Sequence, residues 1–78
     1  DLLTINGVEA SFVAVDNGAQ VSVSARSMGD VNVQVIMEKL GGGGHRTIAG
    51  AQLKDTTLEQ ARKRLKEMLL QMKEKGEI

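Results

Sequence analysis

The chain has 78 residues, of which 41% are hydrophobic and 26% charged, so it forms one small domain with a modest core. It contains no cysteine, which excludes disulfides and thiolate metal sites. Ten basic residues balance ten acidic ones, so no net charge favours binding to nucleic acid or to a membrane surface.

The first part of the chain predicts a truncated segment followed by a strand. Residues 1–6 form a short apolar run without a helix cap ahead of it, and the run ends at the turn pair Asn6-Gly7. We expect this segment to be the tail of a truncated upstream element. The continuous apolar run Phe12–Val15 predicts a strand near 10–16 that is covered on both faces.

A hairpin follows this strand. The pair Asn17-Gly18 lies between two strand-like runs and predicts the hairpin turn, with a second strand near 20–27. Apolar and polar side chains alternate along this second strand, so one face is apolar and the other is polar. The apolar face consists of Val21, Val23 and Ala25, and the polar face of Ser22, Ser24 and Arg26. Alternation alone favours a solvated role for the polar face.

A helix and a third strand are predicted next. The helix spans residues near 31–40, with Asp30 or Asn32 as its N-cap and Gly41 as its left-handed C-terminal cap. Its apolar residues recur at helical spacing and face the sheet. They are Val33, Ile36, Met37 and Leu40. Small apolar residues near 48–53 predict the third strand.

The last helix is predicted near 57–75. Thr56 and Glu59 match a capping box at its start. Its apolar residues recur every three or four positions and predict a buried seam: Leu58, Ala61, Leu65, Met68 and Met72. The order of elements therefore predicts an α+β domain in which two helices pack on one face of a small mixed β-sheet.

Four consecutive glycines, Gly41–Gly44, precede His45, the only histidine. Glycine lets another group approach the backbone closely, consecutive amides can converge on an anion, and the histidine adds a donor. We therefore interpret this run as a site for phosphate or another oxyanion. It fits neither the Walker A spacing nor GxGxxG, and a lone histidine gives no complete metal site. A flexible connector is the alternative, although it explains one or two glycines better than four.

The glycine run also carries a resemblance to a known family. Gly42-Gly43-Gly44-His45, two variable residues and Ile48–Ala51 resemble the GGGH-x-x-A-A-G motif of the DHH-associated domain, type one, the C-terminal half of DHH phosphoesterases. Ser24–Ser27 and Val33–Met37 resemble the branch found in bacterial cyclic-di-AMP phosphodiesterases. Ile48 departs from the motif by replacing its usual small residue, and it either narrows a pocket or lies in the core.

The resemblance implies that two domains share the chemistry. The DHH half, whose motif this chain lacks, holds manganese and activates water, and the associated half closes over the substrate. By this resemblance the substrate phosphate is contacted by Gly42, Gly43, Gly44 and His45. Arg26 is a second contact to an anion or to the nucleotide, and Ser27 belongs to the same substrate- and phosphate-binding set. The chain alone is therefore expected to be inactive and to hold neither metal nor cofactor.

We thus expect the substrate-binding domain of a larger metal-dependent phosphodiesterase that hydrolyses cyclic-di-AMP to linear pApA. A DHH-type oligoribonuclease or single-strand exonuclease is one alternative, although a single aromatic residue, Phe12, argues against long-polymer stacking. A non-catalytic interaction or dimerisation module is the other. The expected partners are the nucleotide, the upstream DHH domain and, optionally, a second copy. No long apolar run suggests a membrane span, so we expect a cytoplasmic domain.

Overall fold

The computed structural model describes residues 2–5 and 7–78, and it places five strands and two helices around one core. In chain order the elements are β1 (Leu2–Ile5), β2 (Val8–Asp16), β3 (Gln20–Ser27), α1 (Val33–Lys39), β4 (Gly43–Gly44), β5 (Ile48–Lys54) and α2 (Leu58–Glu74). The α+β class is confirmed, and each predicted strand and helix is present. Asn6 of the predicted Asn6-Gly7 turn lies outside the described residues.

The sheet has the strand order β1-β2-β3-β5-β4, and all four described pairings are antiparallel rather than mixed as expected. The reason lies in the connection from β3 to β5. Arg26 near the end of β3 is opposite Ile48 at the start of β5, so α1 and the glycine run leave and rejoin the sheet at the same end. Two strands that sequence did not predict, β1 and the two-residue β4, form the edges of the sheet.

Both helices pack on one face of the sheet, and the core lies between these two layers. The fully buried residues come alternately from β2, β3 and β5, together with the apolar stripes of the helices. The strand around Phe12 was expected to be covered on both faces, which is wrong for this domain. Phe12 is buried, but Val13 and Val15 are 41% and 49% exposed on the face without helices, hereafter the open face.

Capping hydrogen bonds fix where α1 and α2 begin. Asn32 is the N-cap of α1 as predicted, and its side-chain oxygen accepts the N–H of Gln34 at 3.0 Å. The capping box of α2 lies one residue later than predicted. Thr57 accepts the N–H of Gln60 while the Gln60 side chain accepts the N–H of Thr57. The hydroxyl of Thr56 donates instead to the carbonyl of Lys54, which closes the turn after β5.

In the part of the chain that is described, neither helix is long and apolar enough to cross a membrane.

Candidate phosphate-binding site

The four glycines before His45 have different roles in the fold. Gly41 follows the C-cap of α1 with φ of +84°, the left-handed conformation predicted for it. A Cβ at Gly42 would collide with the carbonyl oxygen of Gly50, and one at Gly44 would lie 2.6 Å from the Cα of Ala49. The close approach of β4 to β5 therefore requires the absence of side chains at Gly42 and Gly44.

At position 43, neither a left-handed backbone nor close packing requires glycine. Its φ is not in the left-handed region, and a Cβ built on it would meet no atom within 4 Å. The close backbone approach and the positive φ that can require glycine fall instead on its neighbours Gly41, Gly42 and Gly44. Gly43 lies opposite Gly50, whose side of β5 belongs to the open face. The bare backbone at Gly43 thus leaves that face clear beside His45.

Most amides of the glycine run are already used by the fold. The N–H groups of Gly41 and Gly42 donate to carbonyls of the last turn of α1 at 3.0 and 2.9 Å. The N–H of His45 donates to the carbonyl of Ile48 at 2.7 Å. A nest in which all these amides converge on an anion is therefore not formed. Alternation along an antiparallel ladder directs the N–H of Gly44 away from β5, off the edge of the sheet, where a ligand has access to it.

One row of residues crosses the sheet and joins the predicted site. Ser11 of β2 lies opposite Arg26 of β3, and Arg26 lies opposite Ile48 of β5. His45 continues the row through its backbone hydrogen bond to Ile48. Directly opposed residues in a sheet point to the same face, so this row belongs to the open face. Arg26 and His45 are two strand spacings apart, roughly 10 Å.

Arg26 and His45 are exposed and available to a ligand. Across residues 2–5 and 7–78, neither side chain makes an ion pair or a hydrogen bond to the protein. Elsewhere in the chain, Lys39 and Glu77 form an ion pair at 3.8 Å. Arg26 therefore presents a positive charge without an ion-pair partner in the described part of the chain, on the same face as His45.

Ile48 lies on the open face with 56% of its surface exposed, and it is not part of the core. Of the two roles that the sequence allowed for it, lining a pocket and filling the core, the structure supports the first. It stands between Arg26 and His45 and gives an apolar surface to the space above the row.

Ser27 does not join this row. It lies opposite Ala10, which is buried, so its position faces the helix side of the sheet. Its hydroxyl donates to the carbonyl of Gly29 at 2.9 Å, and its N–H donates to the carbonyl of Thr47 at 2.8 Å. These bonds hold the end of β3 against the segment that follows the glycine run. Ser27 therefore does not share the face that presents Arg26 and His45.

Two residues of the open face were not identified from the sequence, Ser11 and Val13 of β2. They lie beside Arg26 and Ser24, and together with them they line a shallow depression on the open face. Their signal is the alternation along β2, in which Ala10 and Phe12 point into the core and the odd-numbered neighbours point outward. The continuous apolar run obscured this alternation.

The residues described here offer no metal site that would fit the manganese implied by the resemblance. Residues 2–5 and 7–78 contain no group of three or more histidine, cysteine, aspartate or glutamate side chains that could hold a metal ion. His45 is exposed and lies next to Ile48 and the glycines rather than next to carboxylates. The chemistry that the arrangement supports is anion binding by a guanidinium, an imidazole and a backbone N–H.

Comparison with known proteins gives a consistent result. The model of the DHHA1 domain matches residues 1–73. The chain is 59% identical to the cyclic-di-AMP phosphodiesterase GdpP of Geobacillus thermodenitrificans, over 87% of this chain and 10% of that protein. It is 54% identical to the cyclic-di-AMP phosphodiesterase PdeA of Listeria monocytogenes, over 82% of this chain and 10% of that protein. It is 47% identical to the bifunctional oligoribonuclease and PAP phosphatase NrnA of Thermus thermophilus, over 81% of this chain and 20% of that protein. The chain therefore spans about a tenth of the length of the first two relatives.

Proposed function

Because this chain belongs to the DHHA1 domain family, we propose that it is the phosphate- and nucleotide-binding domain of a larger DHH-type phosphodiesterase. The observation that carries the proposal is the placement of Arg26 and His45. Both side chains are exposed on the open face, within one cross-strand row, and both lack a partner in the described part of the chain.

Each group of the site has a distinct task in this proposal. The guanidinium of Arg26 offers a planar fork of donors that matches phosphate oxygens, and hydrogen bonds of this charge-assisted kind are among the strong ones. His45 and the N–H of Gly44 donate to a phosphate at the edge of the sheet. Donors that are held in place before the reaction stabilise the charge that develops on phosphoryl oxygens during transfer.

We favour a cyclic dinucleotide, cyclic-di-AMP, as the substrate of the whole protein. Three relatives more than 50% identical to this chain are cyclic-di-AMP phosphodiesterases. A short linear oligonucleotide is the second candidate, supported by the 47% identity to NrnA of Thermus thermophilus. The balanced charge of the chain argues against a long nucleic acid, whose binding relies on many phosphate contacts.

The remaining chemistry belongs, in this proposal, to a DHH domain of the same polypeptide. That domain would hold the manganese, which supplies the activated water and a Lewis acid for attack on the phosphodiester. The domain described here binds and orients the nucleotide through Arg26, Gly44 and His45.

The test is an amide NMR titration of the 78-residue chain with cyclic-di-AMP, linear pApA and AMP. We expect weak binding, with Kd about 0.1–10 mM, since half of the site lies elsewhere. Shifts should concentrate at Gly43–His45 and Arg26 and should be larger for the dinucleotides than for AMP. The absence of any shift at these residues at millimolar ligand would contradict the proposal.

A further inference from the structure

A shallow depression of about 270 Å³ lies on the open face beside Arg26. It spans β2, β3 and β5, and the groups that shape it are small or apolar apart from the guanidinium. The lining residues are Ser11, Val13, Ser24, Ala25, Arg26 and Ile48. Of the proposed anion-binding groups only Arg26 lines this space; Gly44 and His45, at the edge of the sheet, do not.

The depression has a low floor and two apolar walls. Val13, Ser24 and Gly50 form one cross-strand row, in which the centre carries a hydroxymethyl group and one end carries no side chain. Val13 and Ile48 rise on either side and are 41% and 56% exposed. Exposed apolar surface arranged around a concave space is typical of a ligand pocket.

We propose that this depression binds one nucleobase of the nucleotide whose phosphate lies at Arg26 and His45. The inference rests on the proposed function, because the phosphate site fixes where the base begins. A base is flat and apolar on its faces, which suits contact with Val13 and Ile48. The guanidinium of Arg26 stacks on aromatic faces as well as binding phosphate, and the hydroxyls of Ser11 and Ser24 are positioned to bond the polar edge of the base.

A nucleobase fits the depression better than an apolar side chain of a protein partner does. The hydroxyls of Ser11 and Ser24 form no hydrogen bond with the protein across residues 2–5 and 7–78, and neither does Arg26. An apolar side chain would cover these polar groups without satisfying them, which carries a free-energy penalty. A protein partner would also be expected to use Val15, which is exposed on the same face but does not line the depression.

The experiment compares AMP with ribose 5-phosphate, which has the same sugar and phosphate but no base. The chain is titrated with each, and amide shifts are followed separately at Gly50 and Ser24 for the base and at Gly44 and His45 for the phosphate. We expect AMP to bind about 3- to 10-fold more tightly than ribose 5-phosphate, because contact with one base face contributes at the low end of base stacking.

Two variants identify the depression as the source of this preference. Val13→Ser removes an apolar wall, and Ser24→Val fills the floor with a residue that strands accommodate well. Each should reduce the preference for AMP to less than 2-fold and leave the Kd for ribose 5-phosphate unchanged. Val15→Ser is the matched control, with the same change on the same strand and face, and it should retain the full preference.

Each outcome separates the base site from the phosphate site. Equal binding of AMP and ribose 5-phosphate by the unchanged chain, with shifts at Gly44 and His45, would overturn the base site and leave the proposed function intact. Shifts at Gly50 and Ser24 with AMP alone, and none at Gly44 and His45 with either ligand, would support the base site and overturn the phosphate site. A loss of the preference in Val15→Ser equal to that in Val13→Ser would overturn the assignment to the depression.

Discussion

Arg26 and His45 lie on the same face of the sheet with one residue, Ile48, between them. This spacing follows from the antiparallel ladder, in which Arg26 opposes Ile48 and Ile48 accepts the N–H of His45 at 2.7 Å. Their backbones are therefore held roughly 10 Å apart by strand spacing. Because both side chains are long, one phosphate above Ile48 can contact the guanidinium and the imidazole together.

The first prediction concerns the glycines. Gly43→Ala should fold with an unchanged or slightly higher melting temperature, because its Cβ meets no atom and alanine lowers the entropy of the unfolded chain. Binding of pApA should nevertheless weaken, since the methyl group projects onto the open face beside His45. Thermal unfolding and the NMR titration measure the two effects.

Gly42→Ala is the matched control for this prediction. A Cβ at Gly42 would collide with β5, so this variant should lose at least about 1–3 kcal/mol of stability, as overpacked positions do. Full pApA binding by folded Gly43→Ala would favour a glycine run that acts only as a connector.

The second prediction concerns the two donors. Arg26→Gln and His45→Gln should each weaken pApA binding about 5-fold, because a charge-assisted hydrogen bond at an exposed site contributes about 1 kcal/mol. Neither side chain has a partner in the described part of the chain, so the melting temperature should not change. Arg64→Gln removes the same charge from the exposed side of α2 and serves as the control. Equal losses in Arg26→Gln and Arg64→Gln would indicate a general charge effect in place of a site.

The third prediction concerns the start of α2. Thr57→Ala should lower the free energy of unfolding by about 1 kcal/mol, since it removes the N-cap bond to Gln60. For a domain of this size that corresponds to a fall in melting temperature of about 4–8 °C. Thr56→Ala should have a smaller effect, because its hydroxyl donates only to the exposed turn at Lys54. A larger loss of stability in Thr56→Ala than in Thr57→Ala would indicate that Thr56, and not Thr57, caps the helix.

The fourth prediction concerns the core. Phe12 is buried against the helices, and Phe12→Ala should cost about 3–5 kcal/mol. A domain of this length has a total stability of only about 4–12 kcal/mol, so this variant should be partly unfolded at 37 °C. Val13→Ala, one residue along the strand but on the open face, should cost less than about 1 kcal/mol. Chemical denaturation followed by circular dichroism measures both, and equal costs would contradict the one-sided core.

The alternation of β3 and the helical stripe of α1 could be predicted from sequence because burial follows the local period. The register of the hairpin could not. A turn at Asn17-Gly18 would pair Asp16 with Ala19 and set Arg26 opposite Glu9, next to a carboxylate. The turn is formed instead by Gly18 and Ala19, because the N–H of Asn17 donates to the carbonyl of Gln20 at 2.8 Å. Arg26 consequently lies opposite Ser11 and remains unpaired.

The candidate site was predictable in composition but not in geometry. The motif identified Arg26 and His45, yet strand β4 has only two residues and carries no periodic signal of its own. The different roles of Gly42, Gly43 and Gly44 depend on how β4 approaches β5, which is a contact between segments rather than a local preference. The orientation of Ser27, by contrast, follows from the local alternation of β3, which puts it on the face of Ala25 and away from Arg26.

The packing of Gly42 and Gly44 against β5 has a consequence for the thermodynamics of binding. These glycines lose their conformational entropy when the domain folds, so a ligand that arrives later meets backbone that is already ordered. Binding at this edge should therefore carry little ordering penalty. The N–H groups of Gly42 and His45 should accordingly exchange slowly with solvent even in the free domain, as expected of a pre-organised receptor.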